Sequence, residues 1–430
     1  MTSRTQATPH TVVPVPAQTI GVGQGVALYV CAILGAGVLV LPGQAASLAG
    51  PGALIAWGFS ALLGVPLAFT FASLATRFPD AGGVATFAAK AFGPSAGGIA
   101  GWWYFIAGSV GHTIVPLTAG YYVAAALGVD QRWAPAFAAV VLAAAIGANL
   151  VGIRLGARLQ IALALGVAAI LITVIAVAAP RIEPENFTSF APHGILGIGQ
   201  AVVLLFFAFA GWEAIAHLSA EFRDVRRTLP RATLLTIVVV TVLYLGVAVA
   251  VVGTGAYGSR EQDRISLGTI VEQGWGVSAG AVMAVAAVVI CLGTTNAYAA
   301  SLSRLGAALA RDGWAPAALA RRNAHGAPHL ALLAIAGVGG AGLIGAAVFG
   351  WGTDDLVFIP SVLVIATYLL GTAAAAKLFR GRSRSLAIIS IVLLALVAPF
   401  AGWHLVVPPA IAVGVLLFAR KGRAGPGVVS

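Results

Sequence analysis

Apolar runs of about 20 residues follow one another along almost the whole chain, with polar and basic residues gathered in the short stretches between them. A run of that length crosses the hydrocarbon core of a bilayer as a helix. The pattern predicts twelve spans, at about 20–48, 51–76, 96–127, 132–151, 156–179, 195–220, 231–254, 275–305, 329–349, 354–376, 384–400 and 402–419. No alternating apolar and polar signature of a β-barrel is present. The expectation is one all-α integral membrane domain over residues 20–419, with tails at 1–19 and 420–430. The first 19 residues are polar and lack the basic-then-apolar pattern of a cleavable signal.

Composition agrees. Of 430 residues, 60% are hydrophobic and only 9% charged, where a soluble domain carries roughly 25%. So few charges cannot cover a water-facing surface, whereas lipid asks for none. The net charge of +11 raises the question of nucleic acid or anionic substrates, and the distribution answers it. Twelve spans leave Arg132, Arg181, Arg260 and Arg264 on one side and the other twenty Lys and Arg on the side of the termini. By the positive-inside rule both termini are cytoplasmic, in a plasma (inner) membrane. The basic residues therefore report topology and contact with anionic lipid, not nucleic acid. Cys31 and Cys291 both lie in apolar runs and suggest neither a disulfide framework nor a metal site. No cofactor is expected.

Spans 1–5 and 6–10 have the pattern of two repeats. Five is odd, so the second set enters from the opposite side, as in inverted-repeat carriers. Spans 11 and 12 fall outside the repeat. Repeat 1 covers about 20–179, repeat 2 about 195–376, and the two extra helices about 384–419. Span 1 is interrupted at Gly35-Ala36-Gly37 and span 6 at Ala210-Gly211, about 175 residues later. The long connections Phe78–Phe92 and Ala256–Trp275 correspond at nearly the same offset. A break at membrane depth frees backbone N–H and C=O groups, which is tolerated only where they line a cavity or meet a ligand. Half-helix N-termini suit a carboxylate and freed carbonyls suit an ammonium group. A zwitterionic amino acid presents both.

A few polar side chains stand inside the spans. Glu213 is acidic at membrane depth, where a charge costs at least about 2.5–3.5 kcal/mol and needs a partner or a proton. His217 lies one turn on, on the same helix face. The pair exchanges a proton during transport, or Glu213 is a neutral residue tied to the broken backbone. His112 serves substrate or proton, or bonds between helices. Tyr104 closes a pocket or marks an interface. Asn296 meets substrate or bonds across helices, and Tyr368 is a candidate gate. The cluster Arg223, Asp224, Arg226, Arg227 and Arg231 reads as a solvated loop. Nucleotide hydrolysis has no Walker-type loop to support it, and an embedded enzyme has no HExxH or GxSxG arrangement. A channel would show a filter loop or charged rings, neither of which is evident.

The run Phe207-Ala208-Phe209-Ala210-Gly211-Trp212-Glu213, then Glu221-Phe222-Arg223-Asp224 and Pro230-Arg231-Ala232, resembles the amino acid–polyamine–organocation (APC) superfamily of permeases. So do Ile33-Leu34-Gly35-Ala36-Gly37-Val38 with Leu41-Pro42, the Phe78-Pro79-Asp80-Ala81-Gly82-Gly83 loop, and Ala310-Arg311-Asp312-Gly313-Trp314-Ala315-Pro316. The stretch Glu213 to Leu218 with Glu221-Phe222 is most similar to the methionine and branched-chain amino-acid exporters. The resemblance implies a substrate held between spans 1, 3, 6 and 8. The backbone of Leu34, Gly35, Ala36 and Gly37 would bind its carboxylate, and the carbonyls of Phe207, Phe209 and Ala210 its amino group. Phe207 would be the aromatic gate. No charged side chain stands at either break, so a neutral amino acid with an apolar side chain is expected. Export is the first reading of direction and uptake the second.

Overall fold

The computed structural model describes residues 20–78, 83–153, 157–214 and 222–423. Its helices, in chain order, are α1 (Val22–Ile33), α2 (Leu41–Ala49), α3 (Ala53–Arg77), α4 (Gly83–Phe92), α5 (Pro94–Ala126), α6 (Ala134–Leu150), α7 (Ala157–Ala178), α8 (Gly194–Phe209), α9 (Val225–Gly253), α10 (Arg260–Asp263), α11 (Ser266–Trp275), α12 (Val277–Arg311), α13 (His329–Phe349), α14 (Thr353–Leu356), α15 (Phe358–Leu378), α16 (Arg382–Val397) and α17 (Val407–Arg423). Among the described residues there is no β-strand, only one backbone bridge between Ile20 and Phe222. Eight helical stretches there are long and apolar enough to cross a membrane. This is an integral membrane helical protein.

The long α5 is not one of the eight. It carries Gly, His and Tyr where others carry Leu and Val, and most of it is buried against α6, α12, α13 and α15. A helix enclosed by others has no need of a lipid-compatible surface. Close approach takes the place of bulk: a Cβ on Gly120 would collide with the backbone of Ala134 on α6. Such small-residue contacts let dispersion hold a bundle together in lipid.

Chain reversals fall where glycine permits a left-handed backbone. Gly50 (φ 59°) separates α2 from α3, and Gly402 (φ 58°) kinks the passage from α16 to α17. The arginine-rich segment differs from the expected loop. α9 begins at Val225, so Arg227 and Arg231 lie on its first turns, exposed. Pro230 is inside that helix, past its first turn, so the helix forgoes the backbone bond that an N–H there would give to the carbonyl four residues back. The two long connections are also more ordered than loops, since they hold α4 in one case and α10 and α11 in the other.

At one end of the bundle an ion-pair cluster ties α10 to α14. Arg260 Nε lies 2.8 Å from Asp354 and its guanidinium also pairs with Asp355. Arg264 reaches Asp354 at 3.2 Å and stacks over the Tyr121 ring, 4.7 Å from its centroid. Beside it lies a polar hollow lined by Gln44, Ser47, Glu185, Asn186, Tyr257 and Asp263.

Candidate functional site

The site begins with two failures of helical geometry. α1 ends at Ile33, Leu34 leaves helical angles, and Gly35 is fully extended (φ −82°, ψ −180°). A 3₁₀ turn over Ala36–Leu39 then leads into α2. The N–H groups of Ala36 and Gly37 head that turn, where a helix supplies no acceptor of its own. α8 ends at Phe209, Ala210 is extended (φ −67°, ψ 136°), and Gly211 has φ 130°. That angle favours glycine, and a Cβ there would lie 2.7 Å from the Ala32 carbonyl oxygen. The two breaks are therefore in contact.

A side chain from α9 bridges them. Tyr244 Oη lies 3.0 Å from the Ile33 carbonyl and 3.1 Å from the Ala208 carbonyl, so its single proton is shared between the ends of α1 and α8. Tyr29 on α1 donates to the Trp212 carbonyl at 2.8 Å. The last four carbonyls of α8 have no intrahelical donor, and Tyr244 takes only one of them.

Next to the breaks lies a cavity with about 740 Å³ of empty volume, part of it open to solvent. Its walls come from the α1–α2 junction, one face of α5, the end of α8, α12 and α15. Of the residues singled out from the sequence, Gly35, Ala36, Gly37, Tyr104, His112, Phe207 and Ala210 line it. The Phe207 ring spans the space: a Cβ on Gly37 would stand 3.1 Å from it, and one on Gly111 3.8 Å.

Other candidates lie outside the lining. Leu34 is buried at the end of α1. Phe209 packs between Trp57 and Tyr244, with ring centroids 5.9 and 5.2 Å away. Asn296 faces α6, where its carbonyl accepts from Asn149 at 3.1 Å. His217 is outside the described residues, and with it the proposed pair with Glu213. Glu213, Gly211 and Tyr368 form a buried cluster. The Gly211 N–H donates to Tyr368 Oη at 3.0 Å and to Glu213 Oε2 at 3.2 Å, and the Tyr368 hydroxyl donates to Glu213. Glu213 is 2% exposed, and its Oε1 has no partner among the described residues.

The cavity also takes in residues that the sequence reading passed over, chiefly Gly108, Gly111, Thr294, Thr295, Tyr298 and Val364. One signal was available. Tyr104, Ala107, Gly108, Gly111, His112 and Val115 recur at spacings of three and four, the period of a single helix face.

The amino acid permease family model matches residues 20–419. This chain belongs to the amino acid permease family. Among its relatives, the uncharacterized amino acid permease YecA of Bacillus subtilis is 33% identical over 403 residues, 93% of this chain and 95% of its own. The L-methionine/branched-chain amino acid exporter YjeH of Escherichia coli K12 is 32% identical, covering 90% and 92%. The branched-chain amino acid permease BcaP of Lactococcus lactis is 30% identical over 70% of each chain. The family and the apolar helices make this a multi-pass membrane protein whose class of cargo is amino acids.

Proposed function

We propose that this permease is a secondary active transporter of neutral amino acids, working by alternating access around the cavity between its two broken helices. The observation that carries the reading is the juxtaposition of breaks and cavity. Ala36 and Gly37, which head a helical turn, and Phe207 and Ala210, at the end of another helix, line one space. In this reading the N–H groups of the first break hold the carboxylate and the free carbonyls of the second hold the ammonium group. Phe207 covers the substrate from the side.

The chain crosses the membrane twelve times, α1 with α2 forming the first crossing and α8 opening the sixth. Crossings one to five and six to ten are inverted repeats, and α16 and α17 follow outside them. Both termini are cytoplasmic, in keeping with the distribution of Lys and Arg. The hollow beside Arg260 and Asp354 is then the outer vestibule. The substrates proposed are methionine and branched-chain amino acids, on the strength of the names of YjeH and BcaP and of the uncharged lining. Export is the first direction, driven by a proton or by exchange, with the Glu213–Tyr368 cluster as the coupling or gating element.

Counterflow in proteoliposomes, across a panel of labelled amino acids, tests this. Saturable exchange of methionine or leucine is expected. Silence across the whole panel would end the reading.

A further inference from the structure

Helix α5 carries six glycines, Gly97, Gly98, Gly101, Gly108, Gly111 and Gly120. Glycine in a helix interior is less stable than alanine, so each of them needs a reason. For five the reason is packing. A Cβ on Gly97, Gly98, Gly101, Gly108 or Gly120 would stand less than 3.0 Å from an atom of another element, closer than real side chains come. Gly108 shows this at the cavity itself, where a Cβ would lie 2.6 Å from Leu302 on α12. Gly111 is the exception. Among the described residues a Cβ there would meet only the Phe207 ring, at 3.8 and 3.9 Å, an ordinary van der Waals contact. Gly111 lines the cavity and is partly exposed, while residues 112–122 after it are buried. No neighbouring helix among the described residues uses the room that its absent side chain leaves. That room belongs to the cavity.

We infer that Gly111 sets the size of side chain that this permease carries, because the space left by its missing Cβ takes the end of the substrate's side chain. The inference rests on the proposed transport site and specifies its far wall. If the two breaks hold the carboxylate and the ammonium group, the side chain is left to face α5, α12 and α15. The Phe207 ring connects the two regions. Its Cδ1 is 3.1 Å from where a Gly37 Cβ would stand, and its Cε2, directly across the ring, is 3.8 Å from where a Gly111 Cβ would stand. A substrate held by its carboxylate at Gly37 therefore reaches Gly111 with a side chain laid along the ring. A short side chain leaves that end unfilled and forfeits the burial and dispersion contacts that a longer apolar one gains. Methionine and leucine are thus favoured over alanine. A methylene gained or lost in such a pocket changes selection by roughly 10- to 200-fold.

The test measures counterflow of labelled methionine, leucine and alanine by the full-length protein in proteoliposomes, for wild type, Gly111→Ala and Gly111→Val. Wild type is expected to favour methionine over alanine. The methionine-to-alanine ratio is expected to fall about tenfold or more in Gly111→Ala, and further in Gly111→Val. Melting in detergent is expected to place Gly111→Ala at or above wild type, since its Cβ collides with nothing. Should the valine variant not insert, the alanine variant decides. A wild-type ratio in well-inserted Gly111→Ala overturns the inference. So does a common slowing of all three substrates, which would make Gly111 a clearance for the Phe207 ring and not room for cargo. A wild type that carries alanine as well as methionine overturns it too, with amino-acid transport left standing. Silence with every amino acid removes the transport reading, and this inference with it.

Discussion

Replacing Tyr368 by phenylalanine isolates the polar part of the Glu213 cluster. The ring contact with Phe71, 5.0 Å between centroids, survives the change, so apolar packing is retained. Two hydrogen bonds disappear, the one Tyr368 donates to Glu213 and the one it accepts from Gly211. The Gly211 N–H keeps its bond to Glu213, so the loss falls mainly on the carboxyl. Bonds to a carboxylate contribute about 1.5–3 kcal/mol and neutral ones about 0.5–1.5. With one bond of Gly211 retained, a loss of about 2–4 kcal/mol is expected. That corresponds to roughly 30- to 1,000-fold in the equilibrium that keeps the break ordered. The assay is a double-mutant cycle of Tyr368→Phe with Glu213→Leu, followed by chemical unfolding in mixed micelles and by counterflow rate. Residues that share a hydrogen bond couple by about 0.5–3 kcal/mol. If the two substitutions add within error, or if Tyr368→Phe unfolds and transports as wild type does, the cluster does not brace the break.

Two further outcomes follow from the geometry. Gly37→Leu is expected to insert normally and to lose counterflow, because its side chain would push into Phe207 and occupy the space before the Ala36 and Gly37 N–H groups; normal transport would displace the proposed carboxylate site. Burial pushes the Asp263 carboxyl above its ordinary range, even though it accepts the Gly258 N–H at 2.9 Å. A raised value in the folded state means that its contribution to stability is complete below the unfolded range, about pH 4, and is lost as pH rises through the folded value. The midpoint of thermal unfolding should therefore drop toward neutral pH more in wild type than in Asp263→Asn, and parallel curves would refute this.

How much of the site was legible depended on whether its cause was local. The breaks were, because glycines interrupting an apolar run at Gly35-Ala36-Gly37 and Ala210-Gly211 are visible in the run itself. The cavity face of α5 was legible as a period, though only His112 and Tyr104 drew notice. Partners distant in the chain were not. Tyr368 is 155 residues from Glu213, and nothing near either residue announces the other. His217, the titratable group one turn from Glu213, lies outside the described residues, so the pair that the spacing suggests stands as a proposal. Helix geometry explains Asn296 and Phe209. Successive residues turn by about 100°, so Asn296, one position after Thr295, points toward α6. Phe209, two positions after Phe207, points away from the cavity and into the core. Polar type drew attention to Asn296, but direction around the helix decided what it touches.

Tyr244 has a bearing on leakage. A carrier wastes its gradient whenever one half of a pathway loosens while the other stays shut out of step. Here a lone phenolic proton is shared between the Ile33 and Ala208 carbonyls, so when one helix end swings away from the other the proton stays with one carbonyl and the other loses it. In the proposed transport cycle slippage would thus leave one helix end without its donor, at the hands of a residue that contributes nothing to the walls of the chamber.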